Sequence, residues 1–237
     1  MQYIELKFFI NQPRILPFVV AMLLKYSNLR KPKKYCTKTP IFCRIFVVKE
    51  DTNMYIAQQK RKENIAEYIL YLWQLEDLLR ALRFSPEAIY TSLVEPNECG
   101  EQEKQQIFMW YMSLVGLLKE EGKEQSGHLA HTLHLIADVE NLHNQLLALP
   151  IGAHYRTLWE PLKEELSRLR IVIARDGIGD IELCFRALYA TMLYRLKGDQ
   201  TKAGAIEDVT TLISPVIATL ADTYRKVERG EVDLFGK

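Results

Sequence analysis

The chain has 237 residues, of which 48% are hydrophobic and 26% are charged, and this composition is typical of a globular protein rather than of an intrinsically disordered one. The length allows one large or two small domains. The formal net charge of +1 conceals an asymmetry, because residues 1–53 contain 10 Lys and Arg against 3 Asp and Glu, whereas residues 54–237 contain 21 against 27. The sequence therefore divides into a basic leader and an acidic remainder.

The leader, residues 1–53, shows no sustained helical period. Its apolar run, 15–24, is shorter than the roughly 20 residues that a bilayer crossing requires, and no small-residue cleavage site follows it. We therefore predict neither a membrane span nor a secretion signal. Two interpretations stay open: translation starts naturally at Met54, or the leader is a genuine arm that is disordered or touches a membrane. Nucleic-acid binding is expected only if the leader is present, since the acidic remainder repels phosphate.

The four cysteines, Cys36, Cys43, Cys99 and Cys184, are scattered along the chain. None of them forms a CxxC pair or stands at zinc-finger spacing from a histidine. Reduced thiols are expected, and because disulfides are rare in the cytosol, this pattern favours a cytoplasmic location.

The most regular stretch is 63–83, which contains neither Gly nor Pro. Its apolar residues step by three and four positions and share one face of a helix: Ile65, Tyr68, Leu72, Leu75, Leu79 and Leu82. Ile69 and Leu78 broaden this stripe beyond the seam of a two-stranded coiled coil, which favours a globular bundle. The charged residues of the stretch are expected on an outer, solvated face.

Similar apolar spacings predict further helices in the rest of the chain, and no strand of useful length is predicted after Met54. N-cap residues, glycines and prolines set the predicted boundaries of these helices. The predicted helices are a short helix 87–94 capped by Ser85, a helix of about 101–121 ended by Gly122, a helix from Ser126 to about Leu149, a helix with Pro161 in its first turn, a helix 181–198 capped by Asp180, and a last helix from Thr201 that Pro215 kinks or splits. The helix that ends near Leu149 has two apolar stripes and is expected to be central, and the helix 181–198 is expected to be the most buried. We predict an all-α, bundle-like single domain of six to seven helices within residues 54–237.

Three segments carry a family resemblance: ENIAEYILYLWQLEDLLRA at 63–81, EGKEQSGHL at 121–129 and IELCFRALYATMLYRLKG at 181–198. Together they resemble the Bacteroidota family known as domain of unknown function 4924, over about residues 54–224. The resemblance implies a fold and a lineage, and it favours Met54 as the natural start. It implies no activity and no catalytic residue.

All five histidines fall within one short stretch of the sequence. His131, His134 and Asp138 step by three and four, so a helix places them on one face, where they can ligate a metal. Glu140 and His143 add the Glu-x-x-His spacing of di-iron bundles, which use two such motifs and two further glutamates. Because only one motif is present, a mononuclear metal site is the better form of this alternative. The plain interpretation is that the imidazoles are half-buried at helix borders.

A second candidate group lies in the stretch 63–83, where helical spacing brings Trp73, Glu76, Asp77 and Arg80 together. Such a group can line a polar pocket or a subunit contact, because Trp and Arg often anchor interfaces. The alternative is an ordinary surface ion pair between Asp77 and Arg80, beside a tryptophan at the rim of the core.

Neither group completes a catalytic set, and the sequence contains no phosphate-binding loop and no nucleophile elbow. The leading hypothesis is a non-catalytic cytoplasmic protein that works through protein contacts, either as a homodimer or with a partner, and without a cofactor. The alternative is a metal-binding protein or metal-dependent enzyme that holds a divalent metal on the helix 127–149.

Overall fold

A computed structural model describes residues 53–173, 177–196 and 200–234. Nearly all of the leader lies outside these ranges, so both interpretations of it stay predictions. The described residues form eight α-helices and no β-strand, which confirms the all-α prediction.

In chain order the helices are α1 Asn53–Glu63, α2 Ile65–Ala81, α3 Pro86–Ile89, which continues as a π-helical turn Tyr90–Val94, α4 Glu101–Glu120, α5 Ala130–Ala148, a 3-10 turn Pro150–Gly152, α6 Ala153–Ile173, α7 Asp180–Leu196 and α8 Gln200–Glu228. Helix α1 was not predicted. It carries no apolar stripe, and Ala57 is its buried residue, so periodicity gives it no signal.

The helices enclose two hydrophobic cores. The larger core lies between α2, α5, α6, α7 and α8, and the smaller core lies between α1, α2, α3 and α4. Helix α2 belongs to both, because Ile69 and Trp73 pack in the larger core whereas Leu72 and Leu79 pack in the smaller one.

Among the described helices, α2 is therefore the most enclosed. Twelve of its 17 residues are buried, against ten of 17 in α7, so the expectation that the helix 181–198 is the most buried was wrong. The reason is that α7 borders one core and α2 borders two. Helix α5 confirms the prediction of a central position, because it contacts α2, α6, α7 and α8.

Local hydrogen bonds set the ends of α2. The side chain of Asn64 accepts from the backbone N–H groups of Ala66 and Glu67, at 3.1 and 3.2 Å, and so caps the N-terminus. Beyond the C-terminus, Arg83 and Phe84 both adopt the left-handed conformation, with φ of 53° and 55°. This conformation costs a non-glycine residue about 1–2 kcal/mol, and it ends the helix earlier than residue 83.

Two predicted boundaries are confirmed. The hydroxyl of Ser85 accepts from the N–H of Ala88 at 3.2 Å, and Pro86 occupies the first position of α3. Gly122 ends α4 with a φ of 63°, a conformation that glycine adopts without a Cβ penalty.

The predicted role of Pro161 was wrong. Helix α6 already begins at Ala153, because the 3-10 turn Pro150–Gly152 leads directly into it. Pro161 therefore lies inside the helix, at an exposed position, rather than in its first turn.

The last helix is not split at Pro215, because α8 runs through this residue as one element. Just before it, the hydroxyl of Ser214 donates to the carbonyl of Thr210 at 2.7 Å.

Two further sequence predictions concern the thiols and the hydropathy of the helices. Cys99 and Cys184 are free thiols, whereas Cys36 and Cys43 lie outside the described residues. In the part of the chain that the structure describes, no helix is both long enough and apolar enough to cross a membrane.

Candidate functional site

The side of α2 that carries Trp73, Glu76 and Arg80 is buried, although its charged residues were predicted to be solvated. Trp73 is 0% exposed, Glu76 is 1% exposed and Arg80 is 6% exposed. The expectations of a solvated face, a surface ion pair and a rim tryptophan were therefore wrong. Two neighbours cover these side chains and Asp77: helix α7 and residues 121–129, which join α4 to α5 and are called the connecting segment below.

Arg80 attaches the connecting segment to α2. Its Nε donates to the carbonyl of Lys123 at 3.0 Å, and its Nη2 donates to the carbonyl of Gly127 at 2.5 Å. Its Nη1 donates to Asp77 at 2.7 Å. Because all three nitrogens have an acceptor, the guanidinium is buried without losing its hydrogen bonds.

Glu76 binds the last residues of the same segment. Its Oε2 lies 2.7 Å from Nδ1 of His128, and its Oε1 accepts from the N–H of Leu129 at 3.2 Å. Arg80 adds a weaker attraction, since its Nη2 lies 4.0 Å from Oε2 of Glu76. One carboxyl group of α2 thus fixes the two residues that lead into α5.

Carboxyl groups from other elements cap the N-terminus of α5. Leu129, which precedes the helix, offers no side-chain cap. Its N–H bonds to Glu76, and the N–H of Ala130 donates to Glu121 at 2.7 Å. Acidic groups at this end of a helix are favoured by the helix dipole. These distant caps explain why α5 begins at Ala130 rather than at Ser126.

Trp73 provides an aromatic surface beneath these polar groups. Its ring stacks on the imidazole of His128, with centroids 3.8 Å apart and planes 9° apart. The indole N–H donates to the hydroxyl of Thr132 on α5 at 3.1 Å. The guanidinium of Arg186 on α7 lies 5.8 Å from the ring centroid, within the range of a cation–π contact. Three elements therefore hold the indole in place.

Tyr189 connects α7 to the same group. Its hydroxyl donates to Asp77 at 2.5 Å and lies 3.1 Å from the carbonyl oxygen of Trp73. Burial, together with the nearby carboxyl groups of Asp77 and Glu76, raises the pKa of Tyr189 well above its usual value. The phenol therefore stays protonated and remains a donor. We refer to the set below as the polar cluster: Trp73, Glu76, Asp77, Arg80, His128 and Tyr189.

Within the polar cluster, Glu76 is the group whose pKa is shifted toward neutral pH. Burial raises the pKa of this carboxyl group to about 8, against the lowering effects of the Leu129 N–H and of Arg80. Glu76 therefore binds and releases its proton near neutral pH, beside the imidazole of His128. Such a pair can serve as an acid or a base, but the side chain of His128 is only 10% exposed, which leaves little surface for a substrate.

The predicted metal ligands do not come together. His131, His134 and Asp138 are exposed on α5, and Nε2 of His131 lies 3.2 Å from the hydroxyl of Tyr68. Among the described residues, no three His, Cys, Asp or Glu side chains are grouped so that they can hold one metal ion.

The other two predicted ligands serve the larger core. Glu140 accepts from the N–H of Ile181 at 2.9 Å and so caps α7, which is the role that was predicted for Asp180. His143 is 2% exposed, and its Nδ1 lies 2.6 Å from the hydroxyl of Tyr155. Burial lowers the pKa of His143 to about 4, so the imidazole is neutral at physiological pH.

The sequence interpretation missed three residues of this site: Glu121, His128 and Tyr189. No spacing rule connects them with α2, because they belong to elements far away in the chain. The available signal was that Glu121 and His128 lie in the segment 121–129, and Tyr189 in the segment 181–198, which both carried the family resemblance.

Comparison with known proteins identifies the family. The family model described as domain of unknown function (DUF4924) matches residues 54–231. The chain belongs to this family. No curated protein and no solved structure matches the chain significantly.

The family resemblance and the polar cluster coincide. Its residues come from the three segments on which the resemblance rests: Trp73, Glu76, Asp77 and Arg80 from 63–81, His128 from 121–129, and Tyr189 from 181–198. The features that resemble the DUF4924 family are thus brought to one place by the fold.

Proposed function

We propose that the domain works through protein contacts and that its partner is a second copy of the same chain. The observation that carries this proposal is the outward face of α4. The inner face of this helix packs in the smaller core through residues such as Ile107 and Tyr111. On the outward side, Met109 is 61% exposed and Leu117 is 42% exposed.

The outward face of α4 lacks the charges of an ordinary surface helix. No charged residue occurs between Lys104 and Lys119, although the outer side of a surface helix is usually charged. Helical spacing places on this side Gln105, Met109, Ser113 and Gly116. Apart from the backbone of α4 itself, no atom lies within 4 Å of the position that a Cβ on Gly116 would take, so a neighbouring helix can approach closely there. Exposed apolar surface of this kind is typical of a protein contact.

The charges at the ends of α4 favour pairing with a second copy. Glu101 and Lys119 lie about five turns apart, and therefore on the same flank of the helix. In an antiparallel pair with two-fold symmetry, the start of one α4 lies beside the end of the other. Each Glu101 then meets the Lys119 of the other copy, so the face is complementary to itself.

The neighbourhood of α4 extends this contact surface. Tyr55 on α1 is 40% exposed, and its hydroxyl is hydrogen-bonded to Glu103 of α4. A standard interface buries about 800 Å² on each partner, whereas the 20 residues of α4 span about 30 Å. The patch on α4 and α1 is therefore expected to give a dimer of moderate affinity. For its location we propose the cytoplasm, on the cysteine pattern.

Sedimentation equilibrium of the full chain tests the proposal. The wild type is expected to be dimeric at micromolar concentration, and Met109→Glu or Leu117→Glu to weaken the dimer at least about tenfold, because each buries a charge at the contact. Ile171→Glu is the matched control, since Ile171 is 74% exposed on α6. A wild type that stays monomeric, or equal effects of all three substitutions, would contradict the proposal.

A charge exchange tests the antiparallel geometry. Glu101→Lys and Lys119→Glu are each expected to weaken the dimer, because each places like charges opposite one another. The double variant restores opposite charges and is expected to recover affinity. If the loss of dimer affinity in the double variant equals the sum of the losses in the two single variants, the two helices do not pair in this way.

A further inference from the structure

We propose that Glu76, in contact with His128, forms a pH-sensitive switch: a proton on the Glu76 carboxyl group keeps the connecting segment against α2, and its loss loosens the segment. This inference goes beyond the proposed dimer and does not rest on it. The switch lies between α2 and α7 and concerns residues 121–129, whereas the dimer concerns the outward face of α4.

The attachment of the connecting segment has a constant part and a titratable part. Arg80 binds the carbonyls of Lys123 and Gly127, and its guanidinium keeps its charge at every relevant pH. Glu76 binds His128 and Leu129, and both members of the Glu76–His128 pair can gain or lose a proton. The strength of the second attachment therefore depends on pH.

The groups that face Glu76 come from three elements. Asp77 and Arg80 lie on α2, Glu121 and His128 lie in the connecting segment, and Tyr189 lies on α7. Tyr189 stays neutral, and the single charge of Arg80 opposes the two carboxylates of Asp77 and Glu121. Loss of the Glu76 proton adds a third carboxylate charge to this group.

That additional charge weakens the closed arrangement. A carboxylate that is 1% exposed lacks the water that stabilises it, and repulsion between carboxylates is strong in a poorly solvated interior. When the segment opens, Glu76 becomes hydrated and its pKa returns toward its usual value. The closed form therefore binds the Glu76 proton more tightly than the open form, and opening becomes more frequent as pH rises toward about 8.

Opening of the segment has two structural consequences. The stacked His128 ring leaves Trp73, which exposes an indole that is 0% exposed in the closed form. The N-terminus of α5 loses the acceptor for the N–H of Leu129, so its first amides exchange with solvent.

Hydrogen exchange of the full chain tests the switch. Exchange of the amides of residues 124–130 is followed by mass spectrometry at pH 6.5, 7.25 and 8, in the wild type and in Glu76→Gln. The glutamine keeps an acceptor for Leu129 but has no proton to lose. Dividing the wild-type rate by the variant rate at each pH removes the intrinsic base catalysis of exchange. We expect this ratio to rise roughly tenfold from pH 6.5 to 8, while the ratio for residues 185–195 of α7 stays constant.

A second measurement keeps the test independent of the variant. The ring protons of His128 in the wild type are titrated by NMR, and their midpoint is expected to coincide with the rise in exchange. A constant exchange ratio, or a His128 transition unrelated to exchange, overturns the switch. Neither result depends on whether the chain is a monomer or a dimer, so failure of this inference and failure of the proposed function are distinguishable.

Discussion

Trp73 and His128 stack in parallel, with ring centroids 3.8 Å apart, although one lies in the middle of α2 and the other in the connecting segment. This contact covers one face of the imidazole and turns Nδ1 toward Glu76, 2.7 Å away. The aromatic and the ionisable parts of the polar cluster therefore depend on each other. Substitutions around this pair, and at the opposite end of α5, lead to four predictions.

Arg80→Ala is expected to lower the free energy of unfolding by about 3 kcal/mol, the scale of breaking a buried, hydrogen-bonded charge pair. It removes the donors to two backbone carbonyls and leaves Asp77 without its cation. Urea denaturation followed by circular dichroism measures the change. Arg168→Ala is the matched control, because the Arg168 side chain is 80% exposed beside Glu165 and such a pair contributes less than about 1 kcal/mol. Equal losses in both variants would show that Arg80 has no special role.

Glu140→Ala is expected to lower the free energy of unfolding by about 1–2 kcal/mol, because the N-terminus of α7 loses the acceptor for the N–H of Ile181. Glu140→Gln keeps an oxygen acceptor and is expected to retain more than half of this stability. Asp138→Ala, at an exposed position of the same helix, is the control and should change little. Thermal unfolding of the three variants makes the comparison, and a neutral Glu140→Ala speaks against the cap.

His143 is expected to make the protein less stable in acid. Its pKa is lowered from 6.5 to about 4 by burial, so its contribution is fully present above pH 6.5 and is lost as pH falls toward 4. Over this window the loss amounts to about 3 kcal/mol. In His143→Gln the unfolding free energy is expected to fall less between pH 7 and 4 than in the wild type. His134→Gln controls for the loss of a surface histidine. If the unfolding free energies of the wild type and of His143→Gln fall equally between pH 7 and 4, the prediction is wrong.

Gly152→Ala is expected to lower the free energy of unfolding by about 3 kcal/mol, the upper range for an overpacked site. A Cβ at this position would lie 1.8 Å from the carbonyl oxygen of Leu146, so the backbone at the end of α5 has to move. Gly116→Ala provides a control of opposite sign at concentrations where the chain is monomeric, since apart from the backbone of α4 no atom lies within 4 Å there and alanine favours a helix over glycine by about 1 kcal/mol. Differential scanning calorimetry of both variants measures the two shifts.

The helices after residue 63 could be predicted because their signals are local. Apolar spacing located α2, α4, α5 and α7, and Ser85 and Gly122 marked real boundaries. Helix α1 could not be predicted, because its few buried contacts leave no periodic pattern. Pro161 misled the prediction of α6 because a proline is compatible with a first turn and, less often, with a helix interior.

The polar cluster could be predicted only in part. Helical spacing correctly indicated that Trp73, Glu76, Asp77 and Arg80 share one side of α2, but it says nothing of what lies opposite that side. The cover comes from His128 and from α7, which tertiary packing brings to α2. Whether a charged residue is solvated or buried depends on such partners, and for this reason the interpretation as a wet outer face was wrong.

The double membership of α2 in both cores bears on how the domain unfolds. Melting of the smaller core would expose Leu72 and Leu79 while Ile69 and Trp73 of the same helix remained packed in the larger core. Such a partly unfolded state is unfavourable, because apolar area of α2 becomes exposed to water while α2 itself stays ordered and gains no chain entropy. The two cores are therefore expected to unfold in one cooperative transition, because α2 couples the unfolding of one to that of the other.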